Sequence, residues 1–284
     1  MTTSTTLNTK TKKKEMNSPL LTYDLHDDRV VAFSTTRQGG VSTGNYTSFN
    51  INRYCGDAAE AVQQNRRLLC ERLGIAPDRL VMPHQTHGTV VRPIDEAFFS
   101  LRPDAQQQYL EGVDALMTDL PQVCIGVSTA DCIPVLLYDP GHHAACAVHA
   151  GWRGTVGRIV VEAVAALTRA YGSRAQQLRA VIGPGISLDA FEVGDEVYQQ
   201  FADAGFDMPS IARRDAKWHI DLWECNRQKL VSCGIPAANI HVAGVCTYTQ
   251  PDRFFSARRL GISSGRIFSA ILLHQTVRLK KESR

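Results

Sequence analysis

"AACAVHAGWRGTVGRIVVEAVAALTRAYG", residues 144–172, decides the fold class. Its first seven residues are small and apolar apart from His149. Such a run is too apolar for a strand with one wet face, so it reads as a buried strand. "GWRG" then turns the chain. Beyond it, Val156, Ile159, Val160, Ala163, Val164, Leu167 and Tyr171 recur at the i, i+3, i+4, i+7 spacing of one helix face. Gly172 is placed to end that helix. A buried strand delivering a histidine into a tight turn and an amphipathic helix is an α/β unit, with the histidine presented at the strand end.

The same vocabulary recurs outward from there. "VVAFST", "TVVRPI", "VCIGVST", "PVLLYD", "RAVI", "IHVAGVCTY" and "IFSAILL" read as strands. "DAAEAVQQNRRLLCERLGI" reads as a helix with Asp57 as cap, Glu60 three residues on and Gly74 as stop. "GDEVYQQFADAG" is a shorter helix. "DLWECNRQKLVSCGI" is another, with Asp221 capping, Glu224 completing a capping box and Gly234 closing it. Strands often follow one another directly, which favours a mixed-sheet α/β (α+β) sandwich over a doubly wound fold. Residues 18–276 read as one continuous domain, between a disordered polar tail at 1–17 and a basic tail at 277–284.

Composition narrows the function classes. The chain has 284 residues, 44% hydrophobic and 21% charged, as expected for a globular protein. Its formal charge of +3 is a property of the ends. Residues 1–15 carry four lysines and one glutamate, and "LKKESR" carries a net +2, so the body is near −2. A near-neutral body argues against a nucleic-acid surface. No apolar run reaches membrane-spanning length, and the N-terminus lacks a signal-peptide core, so neither membrane nor export is expected. Eight cysteines without a C-x-x-C pair, several inside apolar strands, suggest reduced thiols and a cytoplasmic protein.

Three stretches place reactive groups beside tight turns. "MPHQTHGTVV" carries His84 and His87. On a helix they would share a face; on a strand they would oppose one another. Pro83 and Gly88 exclude a helix there, so the two do not act as an i, i+3 pair. "GVSTADCIPVL" places Asp131 and Cys132 at a strand end. Cys132 is open to three readings: a buried structural thiol, a thiolate nucleophile with a histidine as base, or a metal ligand. "AVHAGWRG" presents His149, and Arg153 with the following helix start makes a candidate anion site, or simply a turn with a surface arginine.

"TTRQGGVSTGNYTSFNI", "HQTHG", "DALMTD", "STADCIPVLLYD", "VHAGWRGTVGRI", "IGPGIS…FEVGDEV" and "FFSARRLGISSGR" run in order over residues 30–272. Together they resemble a bacterial family long labelled multicopper polyphenol oxidase, or laccase domain, and now associated with purine nucleoside phosphorylase activity and peptidoglycan editing. "SSGR" departs slightly from the Thr-Gly-Arg of many members. The resemblance implies a single-domain layered sandwich with central mixed β-sheets flanked by helices. It implies a zinc site of His87, Cys132 and His149, with copper as a possible substitute. It implies phosphorolysis of adenosine, inosine and 5′-methylthioadenosine, and adenosine deamination. His84 and Asp131 are then the candidates for proton transfer, and Arg37 and Arg153 for phosphate. The alternative is a hydrolase with Cys132 as nucleophile and His149 as base, acting on peptidoglycan precursors. None of the nine histidines forms an H-x-H pair, so a four-copper oxidase site is not expected. Oligomeric state stays open.

Overall fold

The computed structural model describes residues 18–275; both expected tails lie outside them. The strands in chain order are β1 Leu20–Tyr23, β2 Val30–Thr35, β3 Leu80–Val81, β4 Val91–Pro93, β5 Ala115–Thr118, β6 Cys124–Thr129 and β7 Ile133–Asp139. There follow β8 Ala144–Ala150, β9 Arg179–Ile182, β10 Glu192–Val193, β11 Ala212–Arg214, β12 Trp218–Ile220, β13 Ile240–Val242 and β14 Ile267–Leu273. They form a six-stranded sheet (β13-β9-β7-β8-β5-β4), a five-stranded sheet (β1-β2-β14-β6-β3) and a small three-stranded sheet (β10-β12-β11). Most pairs are antiparallel, while β3 with β6, β4 with β5 and β9 with β13 are parallel. The sheets are mixed, as the uneven alternation of strands and helices requires.

Side-chain parity along β8 explains the layering. Ala145 and Ala147 pack with Leu116, Leu136, Ile125, Val127 and Ile271, between the two large sheets. Ala144, Cys146, Val148 and Ala150 pack on the opposite face against Ile159, Val160, Ala163, Val164 and Leu167 of the helix Ile159–Tyr171. On the far side, Phe33, Phe268 and Leu272 of the five-stranded sheet meet Leu69 and Cys70 of the helix Ala59–Leu73. The result is helix, sheet, sheet, helix. Both sheets are covered on both faces, which is why the strands read as unbroken apolar runs. Burying each large aliphatic side chain contributes about 1.5–3 kcal/mol, so this double core is the main source of stability.

Three local expectations need correction. The helix expected to run unbroken from the "GWRG" turn is two helices, Trp152–Val156 and Ile159–Tyr171. Arg158 between them takes a left-handed φ of 67°, which interrupts the hydrogen-bond ladder. Asp57 does not cap the helix Ala59–Leu73; Ala58 occupies the cap position without a side-chain bond. The Asp57 carboxylate instead accepts from Ser42, Asn50 and the Ala58 N–H. Asp221 does cap Leu222–Ser232 through the Glu224 N–H, but the Glu224 carboxylate turns to Arg227 and Gln228 instead of closing a box. Gly74 and Gly172 both end helices in the left-handed conformation, as read.

Candidate metal centre and adjoining cavity

Strand register brings the site together. In the antiparallel pair of β7 and β8, Ile133 faces Ala150 and Pro134 faces His149. Cys132, one residue before β7, therefore arrives beside Gly151, one residue after β8. On the other side of β8, Ala115 of β5 faces Val148, which puts Asp114 opposite His149. The His149 N–H bonds the Asp114 carbonyl at 2.8 Å. His149 shares the parity of Ala145 and Ala147, so its ring lies on the inter-sheet side, at the end of the sandwich. The loop carrying His87 is anchored by a parallel bridge between His84 and Glu111, just ahead of Asp114.

The resulting donor set is tight. One ligand atom each from His87, Cys132 and His149 lies within 4.8 Å of the others. The Cys132 Sγ is 3.8 Å from His87 Nε2. Tetrahedral zinc bonded to nitrogen and sulfur at 2.0–2.3 Å wants donors about 3.3–3.6 Å apart, a little closer than these stand. The chemistry fits as well: one thiolate and two imidazoles, with room for a fourth ligand. The backbone makes space for the set at Gly151. A Cβ there would lie 2.8 Å from His87 Cδ2, 3.0 Å from Cys132 Sγ and 3.6 Å from His149 Nε2. Any side chain at that position invades the donor cluster.

Asp114 is the organising residue. It is fully buried and accepts from His149 Nδ1 at 2.7 Å and from the backbone N–H groups of Thr86, His87 and Gly88 at 3.3, 3.0 and 2.7 Å. A carboxylate accepts only, so His149 carries its proton on Nδ1 and leaves Nε2 free to ligate. The same carboxylate fixes the loop in which His87 adopts a left-handed φ of 63°. Burial alone would raise the Asp114 carboxyl; the His149 hydrogen bond and charge, with the loop N–H groups, hold it below its ordinary value. Burial likewise pushes the Cys132 thiol up, but the facing imidazoles of His149 and His87 outweigh it and the thiol is lowered. Burial lowers His149, while Cys132 and Asp114 together raise it above the usual imidazole range. Without a metal, Cys132 and His149 therefore favour a thiolate–imidazolium pair.

A cavity of about 240 Å³ opens beside these donors, with Tyr54, His84, Ser128, Thr129, Ile262 and Arg266 among its other walls. His84 stacks on Tyr54, ring centres 4.3 Å apart, and bonds Glu111 through Nδ1 at 2.7 Å. The remaining sequence candidates lie elsewhere. Asp131 has φ 86° and spends its carboxylate on Thr247 Oγ1 and the Arg258 N–H, both at 2.7 Å. It ties the Cys132 strand end to the 257–266 wall of the cavity. Arg37 donates to the carbonyls of Thr47 and Pro251 and packs over Phe255. Arg153 lies exposed, its guanidinium 4.3 Å above the Trp152 ring. Neither residue is among the cavity walls; the arginine that is, Arg266, gives Nη1 to the Ser264 and Gly265 carbonyls and Nη2 to the Ile262 carbonyl.

Asp114, Glu111 and Tyr54 were not singled out from the sequence. Asp114 did leave a signal: an acid between Val113 and the fully buried strand "ALMT" is out of place unless it has buried partners. Glu111 and Tyr54 leave none, because polar residues open to solvent are ordinary.

Residues 31–274 match the family described as "Multi-copper polyphenol oxidoreductase laccase". The chain is 50% identical over 246 residues, 86% of its length, to a protein from Bacteroides thetaiotaomicron named purine nucleoside phosphorylase, covering 91% of that protein. It is 46% identical over 245 residues to adenosine deaminase RL5 from an unknown prokaryotic organism, covering 85% of this chain and 93% of that one. Its structure resembles that of YfiH from Bacillus licheniformis, with a TM-score of 0.83 at 31% identity over 91% of this chain and 98% of that one. YlmD from Geobacillus stearothermophilus gives 0.81 at 30% identity, over 87% and 93%. With its sheets, its helices and nearly all of its described length matched, the chain belongs to the multi-copper polyphenol oxidoreductase laccase family, whose relatives include proteins named purine nucleoside phosphorylase and adenosine deaminase.

Proposed function

We propose that the chain is a zinc-dependent purine nucleoside phosphorylase acting on adenosine, inosine and 5′-methylthioadenosine, with accompanying adenosine deamination. The observation that carries this reading is the convergence of His87, Cys132 and His149 on one edge of a cavity, with Asp114 fixing the tautomer of His149. The names of the relatives give the substrate class. When bound there, zinc supplies a Lewis acid and activates water near neutral pH. The chain's own residues do the rest. Asp114 holds the His87 loop and the His149 ring in place. Asp131 anchors the far wall. Arg266, the arginine among the cavity walls, meets a phosphate dianion with the N–H groups it does not give to the Ile262, Ser264 and Gly265 carbonyls.

The test is metal analysis followed by an assay with inosine and phosphate, with hypoxanthine and ribose 1-phosphate identified as products. Wild-type protein should hold one zinc per chain, and His87→Ala, Cys132→Ala and His149→Ala should lose both metal and turnover. Retention of one metal per chain by all three variants refutes the site. A second reading, an amidase with Cys132 as nucleophile, has the thiolate–imidazolium pair in its favour. It requires covalent labelling of Cys132 that persists in zinc-loaded protein.

A further inference from the structure

Phosphorolysis of a purine nucleoside has a need that the metal centre does not meet. As the glycosidic bond breaks, the purine leaves with an electron pair, and a proton on N7 makes it a far better leaving group. The proton donor must face the cavity, be held rigidly, and keep one titrating nitrogen free.

His84 meets these requirements. Its backbone is fixed to the 110–112 segment by two hydrogen bonds, His84 N–H to the Leu110 carbonyl and Gly112 N–H to the His84 carbonyl, each 3.0 Å. Its ring face rests on Tyr54, inclined by 26°. Its Nδ1 lies 2.7 Å from Glu111 Oε1. A carboxylate can only accept, so Nδ1 bears a hydrogen in either charge state of the ring. Proton gain and loss therefore fall to Nε2. That atom makes no hydrogen bond to another described residue, and the ring lines the cavity that holds His87, Cys132 and His149. Other titratable groups along the same wall are Tyr54, Cys55 and Arg266.

We infer that His84 is the general acid that protonates purine N7, and that Glu111 is the positioning residue that directs its Nε2 at the leaving base. This role rests on the nucleoside reading above. In the step, a phosphate oxygen forms its bond to C1′ while the C1′–N9 bond breaks. The electron pair of that bond enters the purine ring, the Nε2 proton of His84 passes to N7, and solvent reprotonates the imidazole. Glu111 accepts from Nδ1 throughout and stabilises the charged ring before transfer.

Paired substrates test the role. In 7-methylinosine, N7 is already alkylated and positively charged, so its base leaves without a proton. His84→Ala should lower kcat for inosine by roughly 10²- to 10⁴-fold, the usual worth of general acid catalysis. It should lower kcat for 7-methylinosine far less than for inosine, because that base leaves without needing the proton. Glu111→Gln should show the same selectivity at about a tenth of the effect, because an amide oxygen still accepts from Nδ1 but no longer supports the charge. Unchanged zinc content and melting temperature show that the variants are folded. Equal losses on the two substrates overturn the acid role and leave the nucleoside reading intact. Wild-type protein that cleaves neither substrate overturns the reading and takes this role with it.

Discussion

Replacing Asp114 with Asn is the sharpest test of how this site is built. The change is nearly isosteric and removes one acceptor oxygen. Oδ1 receives the His87 N–H and His149 Nδ1, and Oδ2 receives the Thr86 and Gly88 N–H groups. If the amide nitrogen takes the Oδ2 place, two backbone donors are left facing another donor. If it takes the Oδ1 place, the His87 N–H is orphaned and His149 is driven to the tautomer with its hydrogen on Nε2, the atom needed for ligation. An unsatisfied buried donor costs about 1–3 kcal/mol, so two cost about 2–6 kcal/mol of stability in metal-free protein. Loss of the carboxylate behind a ligating histidine typically costs 10- to 100-fold in metal affinity, about 1.4–2.7 kcal/mol. Urea unfolding of the chelated protein measures the first quantity, and zinc competition against a chromophoric chelator the second. Wild-type stability together with wild-type zinc affinity in Asp114→Asn would refute the argument that this carboxylate organises both the loop and the ligand.

Three further outcomes are expected. Gly151→Ala should weaken zinc at least tenfold while shifting the melting temperature little, since its backbone angles suit alanine and only the donor atoms are crowded; competition titration and calorimetry separate the two. In metal-free protein the lowered Cys132 thiol should stay ionised below the pH at which a free cysteine protonates, so iodoacetamide labelling persists as pH falls toward neutrality and fades only below it. His149→Ala should move that profile to higher pH, and an unmoved profile contradicts the ion pair. Arg266→Ala should raise the KM for phosphate about tenfold or more, whereas Arg37→Ala and Arg153→Ala should leave it near wild type; the reverse order would return the phosphate to the arginines beside the glycine turns.

The layers were legible because both sheets are sealed on both faces. Strands such as Ala144–Ala150 and Ile267–Leu273 must then be apolar throughout, and periodicity reports that directly. The helix Ile159–Tyr171 was equally plain from its stripe. Its beginning was not, because arginine carries no sequence mark for the left-handed conformation that Arg158 adopts. The three metal-donor candidates came from resemblance, since their grouping depends on register across β7, β8 and β5, which spacing along the chain does not encode. Asp131 shows the converse: an acid beside the reactive cysteine looked available, yet its oxygens are committed to Thr247 and Arg258. Residue type suggests chemistry, and only the hydrogen-bond inventory shows which groups remain free for it.

The hairpin of β7 and β8 has a practical consequence for change in this protein. Cys132 and His149 sit at its two open ends, while its turn at 140–143 lies some seven residues away, about 20 Å along the strands. Lengthening that turn leaves the separation of the two ligands untouched. A single residue inserted within β8 slips the register and sends His149 to the helix side of the sheet, and one inserted within β7 displaces Cys132 from its place beside Gly151; either dismantles the centre.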